Sequence, residues 1–411
     1  MQEHDVLCRA YARLLIREGV NLQPGQRLVL TCPVERADFA RLCAEEAYAA
    51  GCAEVLLRWK DDQISRLKYL YAADAVFDRV NPWDALLPDM LSAEGAAWLA
   101  VHAEDPAHLK GVDPARIRRA SAASGAALAA FRKRETHNEF PWCVCSVPTA
   151  AWARTVFPDL DEDAAMERLW TEIFRACRVT SGDAVPAWRA HSETLHRRVE
   201  ALNRYAFRTL HYQNALGTDL TVELPEGHYW AGGAEKCLTS GLEFSANIPT
   251  EEVFTLPKRD GVNGVVAASR PLSLNGNIVE GLRLTLQNGK ITDICAAQGA
   301  EIVRAATETD EGASCFGEVA LVPSRSPISE SGVLFYNTLF DENAACHFAF
   351  GDAYPCIHGA EEMSAEELLA RGANSSVIHV DFMVGTPDLS IVGTTAAGET
   401  IPVFTDGNFA F

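Results

Sequence analysis

Several familiar signatures are missing from this chain, and each absence removes a class of function. No run approaches the roughly 18 uninterrupted apolar residues that a membrane span needs. The opening MQEHDVLCRAYARLL lacks the basic, apolar and small-residue succession of a secretory signal. A cytoplasmic protein without a membrane partner is therefore expected. The 12 cysteines are scattered singly or as the pair Cys143 and Cys145, with no CxxC and no dense framework. Reduced, mostly buried thiols follow from that spacing. The 11 histidines include no HExxH, and the chain has no GxSxG elbow and no GxxxxGK phosphate loop. A serine hydrolase, a one-zinc protease of the helix type and a P-loop enzyme are thereby disfavoured. Positive charge is scarce as well. The formal net charge is -20 with no local Lys/Arg cluster, which would repel a phosphate backbone, so nucleic acid is not an expected partner.

What the chain does have is the composition of a soluble globular protein, 48% hydrophobic and 22% charged. Its 411 residues exceed what one hydrophobic core organises, which points to two domains. The first half alternates helix and strand signals. Leu7, Tyr11, Leu14 and Leu15 mark one face of an opening helix, QPGQ turns the chain, and RLVLTC reads as a strand. ADFARLCAEEAYAAG then forms a helix stopped at Gly51, and AEVLLRWKD completes a β-α-β unit. Further strands are expected at AAWLAVHA and PWCVCSV, and helices around ARIRRASAASGAALAAFRK, DEDAAMERLWTEIFRACRV and AVPAWRAHSETLHRRVEALNRY. Beyond that point short β segments alternate with Gly, Asn and Asp. In GLRLTLQNGKITDI, Leu282, Leu284 and Leu286 alternate with polar residues before Asn288 and Gly289, which is a hairpin signal. The expected class is α/β in two domains. Residues 1–185 form a layered α/β domain with an at least partly parallel sheet, and residues 186–411 an α+β domain with a mixed sheet that carries the chemistry.

Carboxylates and histidines concentrate inside apolar surroundings in that second half. In IHVDFMVG a strand would point His379, Asp381 and Met383 one way and Ile378, Val380 and Phe382 the other. Burying Asp381 alone costs several kcal/mol, so a cation, a metal or a structural histidine partner belongs beside it. YNTLFDENAACHFAFGDAY adds Asp341, Glu342, His347 and Tyr354 among aromatic and aliphatic neighbours. Here Asp341 reads as a helix cap, Glu342 could favour a helix dipole, and Tyr354 could be a core tyrosine. Glu318 stands alone in CFGEVALVP, and Glu251 and Glu252 share the extended piece NIPTEEVFTLP. Alternation sends those two to opposite faces, and Arg325 or Lys258 could pair with a buried glutamate instead of a metal.

Charge counting gathers these residues. Glu252, Glu318, Glu342 and Asp381 bring four negative charges that two divalent cations would balance, with His347 and His379 completing a ligand set typical of zinc, cobalt or manganese centres.

The four motifs NIPTEEVFTLP, FGEVALV, TLFDENAACHFAFGDAY and NSSVIHVDFMVG, in that order, resemble the metallo-aminopeptidases typified by aminopeptidase T and aminopeptidase S. The resemblance extends over the whole chain. It implies the metal ligands Glu252, Glu318, Glu342, His347, His379 and Asp381, a two-domain homodimer and a dinuclear zinc or cobalt cofactor. The implied activity is release of N-terminal residues from peptide substrates by a hydroxide activated at that centre. Glu318 is the expected bridge, and Glu251 or Tyr354 the expected catalytic proton shuttle. Two other readings stand beside this one. Some ring-cleaving hydroxypyridine dioxygenases resemble the fold and keep a single ferrous ion on a His and HxD set. A noncatalytic, metal-stabilised peptide-binding protein is the other.

Overall fold

The computed structural model describes residues 3–180, 182–274 and 277–411. It divides into two compact units, Met1–Ser192 with Ala234–Pro249, and Glu193–Gly233 with Thr250–Phe411. No helix among the described residues is long and apolar enough to cross a membrane.

In the first unit the β-α-β pattern of the sequence is realised as strand Arg27–Pro33, helix Ala37–Ala49 and strand Glu54–Lys60. Gly51, at φ +90°, supplies the left-handed residue that ends the helix. Every described strand pairing in this sheet is parallel. The order is Glu54–Lys60, Arg27–Pro33, Ala97–Val101, Trp142–Cys145, Asn247–Ile248. The inner strands are almost wholly buried while Glu54–Lys60 at the edge alternates toward solvent, as expected when helices cover a parallel sheet. Among the helices of this unit not legible in the sequence are Asp62–Tyr71 and Pro82–Ala93. The former carries Ile64, Leu67 and Tyr71 at helical spacing, but all three are exposed rather than packed on a core. The expected single helical run after residue 114 is two helices, Pro114–Ala127 and Ala129–Thr136.

The second unit carries an eight-stranded and a four-stranded sheet. All their described pairings are antiparallel, which corrects the mixed sheet expected from sequence. In the eight-stranded sheet several neighbouring strands are joined by short turns, which only antiparallel pairing allows, whereas longer segments connect the strands of the four-stranded sheet. The hairpin Arg283–Gln287 and Lys290–Cys295 is one example, turning on Asn288 at φ +50° and Gly289 at φ +78°. Leu282, Leu284 and Leu286 are all buried in the core.

The division of the chain also differs in detail from the expected boundary at 185/186. It falls inside the helix Val185–Tyr205. Ala234–Pro249 belongs with the first unit, where Asn247–Ile248 adds the last parallel strand beside Trp142–Cys145. A late return of the chain to an earlier sheet leaves no compositional mark.

Candidate metal centre

The four-stranded sheet positions the carboxylates and histidines. Its strands are β1 (Val253–Thr255), β2 (Phe316–Leu321), β3 (His347–Gly351) and β4 (His379–Met383), adjacent in that order. Between β2 and β3 the register shifts, so that Phe316 opposes Phe350 and Glu318 opposes Ala349. Gly317 is the extra residue of a β-bulge. Without it, Phe316 and Glu318 would point the same way; with it, Phe316 enters the core and Glu318 turns to the opposite face.

That face also presents His347, His379 and Asp381, because Ala320 opposes His347, Ala349 opposes Asp381 and Gly351 opposes His379. Glu252, just before β1, has the parity of Phe254, which opposes Ala320. The other face of the sheet is apolar. Phe316, Val319, Leu321, Phe348, Phe350 and Phe382 join the main core cluster, where Tyr212 of the larger sheet meets Phe348 at 5.0 Å between ring centroids. One sheet thus separates a hydrocarbon core from a cluster of ionisable groups.

Within the cluster Glu318 stands between two imidazoles. Its Oε1 lies 3.8 Å from His347 Nε2 and its Oε2 3.2 Å from His379 Nε2. His347 Nε2 is also 3.3 Å from Glu252 Oε2, and His379 Nε2 is 3.2 Å from Asp381 Oδ1. Two groups with metal-ligand spacing result, Glu252/Glu318/His347 and Glu318/His379/Asp381, and Glu318 is the residue they share. Both imidazoles donate Nδ1–H to a backbone carbonyl, His347 to Ala345 at 3.2 Å and His379 to Asp352 at 2.8 Å. Each Nε2 is left facing the carboxylates, the orientation that histidine ligands adopt. Glu252 Oε2 is buried and makes no hydrogen bond, although His347 Nε2 is close. That buried oxygen and the imidazole nitrogen beside it form a donor set that suits a divalent cation.

Electrostatics lead to the same fit. Burial and then the neighbouring carboxylates Glu318 and Asp381 push Glu252 up to about 7 against the pull of His347, and burial with Glu252 and Asp381 holds Glu342 well above the usual range. Burial also acts against the charged form of Glu318, but hydrogen bonds from His347 and His379 outweigh it and bring its carboxyl to about 2. For the imidazoles burial pulls downward, yet the surrounding carboxylates hold His347 at about 10 and His379 at about 11. Left to itself, the cluster has more buried negative charge than it can neutralise and must take up protons, the condition that bound cations relieve.

Among the sequence candidates, Glu252, Glu318, His347, His379 and Asp381 fall within the two groups. Glu342 stands beside them, close enough for Glu252 and Asp381 to raise its pKa, but outside both. Glu251 is buried next to Glu252, and its backbone N–H donates to Asn343 Oδ1 at 2.7 Å. Tyr354 is half-exposed, with its ring edge-on to His379 at 6.0 Å. Neither Lys258 nor Arg325 neutralises the buried glutamates: Lys258 pairs with Glu223 and Asp260, and Glu318 is met by the histidines.

The cap assigned to Asp341 is corrected. Asn337 caps the short helix Thr338–Asp341 by accepting from Leu339 N–H. Asp341 instead reaches back and accepts from Phe335 N–H at 2.8 Å and Asn337 N–H at 3.0 Å. Sequence reasoning also missed the bulge at Gly317 and the carbonyls of Ala345 and Asp352 that orient the histidines. An isolated glycine in a strand pattern was the available signal for the bulge; backbone carbonyls leave none.

Residues 5–409 match the Peptidase_M29 family, described as thermophilic metalloprotease (M29), and the chain belongs to that family. It is accordingly a peptide-bond hydrolase of metalloprotease type. Aminopeptidase AmpS of Bacillus subtilis strain 168 is 47% identical over 402 residues, covering 98% of each chain. Among solved structures, wild-type AmpT from Thermus thermophilus superposes with a TM-score of 0.92 at 39% identity, covering 99% of this chain and 100% of that one. The 2,5-dihydroxypyridine dioxygenase from Pseudomonas putida KT2440 has a TM-score of 0.56 at 12% identity over 100% of this chain and 97% of its own, a likeness of fold alone.

Proposed function

We propose that this protein is an aminopeptidase that works through two divalent cations, zinc, cobalt or manganese, held by Glu252, Glu318, Glu342, His347, His379 and Asp381. The observation that carries this reading is the position of Glu318, which directs one carboxylate oxygen into each ligand group. The aminopeptidase relative named above supports the exopeptidase activity on peptides, and the reading further takes the protein to be a cytoplasmic homodimer. Cations bound there supply Lewis acidity and bring the pKa of a coordinated water from about 15.7 toward about 7.

The chain's own groups supply the rest. His347 and Glu252 form the closed side, with their side chains 2% and 10% exposed. The His379 side chain is 29% exposed, so substrate enters from the His379 and Asp381 side. Tyr354 stands at that entrance. Crowding by the surrounding chain, followed by the charges of Glu318, Glu342, Asp381 and Glu252, raises its hydroxyl pKa. It therefore stays protonated at neutral pH and can donate a hydrogen bond to a developing oxyanion or a proton to the leaving amine. Glu251 is the alternative carrier of that proton.

Removal of metal by a chelator is expected to abolish hydrolysis of an unblocked dipeptide, and zinc, cobalt or manganese to restore it. Metal analysis should return two ions per chain. Full activity in a verified metal-free preparation, or a single ferrous ion per chain, would overturn the reading. N-acetylation of a good substrate should remove nearly all turnover, because the amide no longer offers a free amine to the centre. An acetylated peptide cut internally at a similar rate would make the enzyme an endopeptidase.

A further inference from the structure

A cavity of about 220 Å³ opens directly from the candidate centre, with His379 and Asp381 forming one wall. The wall beyond them is largely aliphatic, with Leu272, Leu274, Ile278, Leu334 and Met383, and it also includes the uncharged polar groups of Tyr336, Asn337 and Thr338. Met383 lies two residues beyond Asp381 on the same face of β4 and opposes His347 in the sheet register. No lysine or arginine lines the cavity. The acid at its margin, Asp341, has each carboxylate oxygen engaged by a backbone N–H, of Phe335 and of Asn337.

We propose that this cavity receives the side chain of the substrate's N-terminal residue and selects an uncharged aliphatic or aromatic group; the assignment rests on the aminopeptidase reading above. A peptide with its reacting carbonyl at the centre has a single residue on the amino side. A finite cavity adjoining His379 and Asp381 can take that one side chain, while the remainder of the peptide leaves through the more exposed side near Tyr354. Aliphatic walls reward burial of a leucine, methionine or phenylalanine side chain. An acidic side chain finds no cation there, and transferring its charge out of water goes uncompensated. A basic one meets Asp341, whose oxygens are engaged by backbone N–H groups, and Asp381, which the proposed metal centre engages.

The test uses the full-length, metal-loaded protein with the dipeptides Leu-Gly, Ala-Gly, Phe-Gly, Asp-Gly and Lys-Gly. It is paired with calorimetric titration of the free amino acids L-leucine and L-aspartate. Leu-Gly should be preferred to Asp-Gly and Lys-Gly, and L-leucine should bind more tightly than L-aspartate. Met383→Trp fills the cavity and should lower the ratio of kcat/KM for Leu-Gly over Ala-Gly by about 30-fold, the range in which a hydrophobic pocket discriminates. It should weaken L-leucine binding in parallel. Leu334→Ala enlarges the cavity and should shift preference toward Phe-Gly, which keeps the test decisive if the bulkier variant does not fold. The assignment is overturned if Lys-Gly or Asp-Gly is preferred, or if both folded variants keep the wild-type substrate ratios and leucine affinity. Absence of any hydrolysis of unblocked peptides, with L-leucine still bound and lost in Met383→Trp, would remove the aminopeptidase reading and leave the pocket standing.

Discussion

Glu318→Gln is expected to lower dipeptide turnover by about three orders of magnitude, roughly 4 kcal/mol of transition-state stabilisation, and to release at least one metal. The substitution keeps size and strand propensity. It replaces an anion having two acceptor oxygens with an amide having one, whose nitrogen presents hydrogens where an acceptor is required. Because His347 and His379 face different oxygens of the same carboxylate, one side of the centre must lose its partner whichever way the amide turns. The apolar half of β2, Phe316, Val319 and Leu321, is untouched in the core, so the chain should remain folded.

Asp341→Asn is the informative comparison, since it neutralises an acid next to the proposed ligand Glu342. Two backbone N–H groups meet the two oxygens of Asp341, and an amide can serve only one of them. That variant should lose about 1–3 kcal/mol of stability yet keep both metals and measurable turnover. Bound metal, hydrolysis and thermal unfolding of the two variants separate the roles. Retention of two metals and normal turnover by Glu318→Gln, or metal loss confined to Asp341→Asn, would show that other acids build the centre.

The legibility of this site in the sequence followed from its period. His379 and Asp381 could be placed on one face because β4 is a regular strand, and the register confirms the alternation with Val380 and Phe382. The acidic set could be gathered because charge inside aromatic and aliphatic neighbours needs an explanation wherever it occurs. Glu318 was different. Strict alternation puts it on the side of Phe316, in the core, and only the inserted Gly317 turns it toward the histidines. The same limit applied to Asp341, whose hydrogen bonds run backward to residues 335 and 337 rather than forward along a helix. In the first unit the inner strands were readable from continuous apolar runs, whereas the final strand Asn247–Ile248, two residues long and distant in sequence, was not. Local patterns identified the elements; long-range pairing decided which residues meet.

Gly317→Ala should therefore damage the centre more than its position outside the ligand set suggests. A Cβ at residue 317 would lie 2.1 Å from the carbonyl oxygen of Asp352 and 2.5 Å from that of Gly351, far inside van der Waals contact with backbone that cannot rotate away. Overpacking of this kind costs about 1–3 kcal/mol, and the atom displaced first is the one that orients His379, because Asp352 O accepts from His379 Nδ1 at 2.8 Å. Loss of that hydrogen bond frees the imidazole to turn, and relief of the clash by flattening the bulge would swing Glu318 toward the core. Metal affinity should fall by about 10- to 100-fold, the effect usual for removing a partner that orients a ligand. Gly289→Ala provides the control for stability alone. Its added Cβ would lie 1.8 Å from Arg259 O at a hairpin turn, and its φ of +78° adds strain that Gly317 does not share, but no candidate ligand depends on that contact. Both variants should unfold at lower temperature, and only Gly317→Ala should bind metal weakly in the folded state. Equal metal affinity in the two, measured below their unfolding transitions, would mean that the bulge does not aim Glu318 and that the centre tolerates a displaced His379.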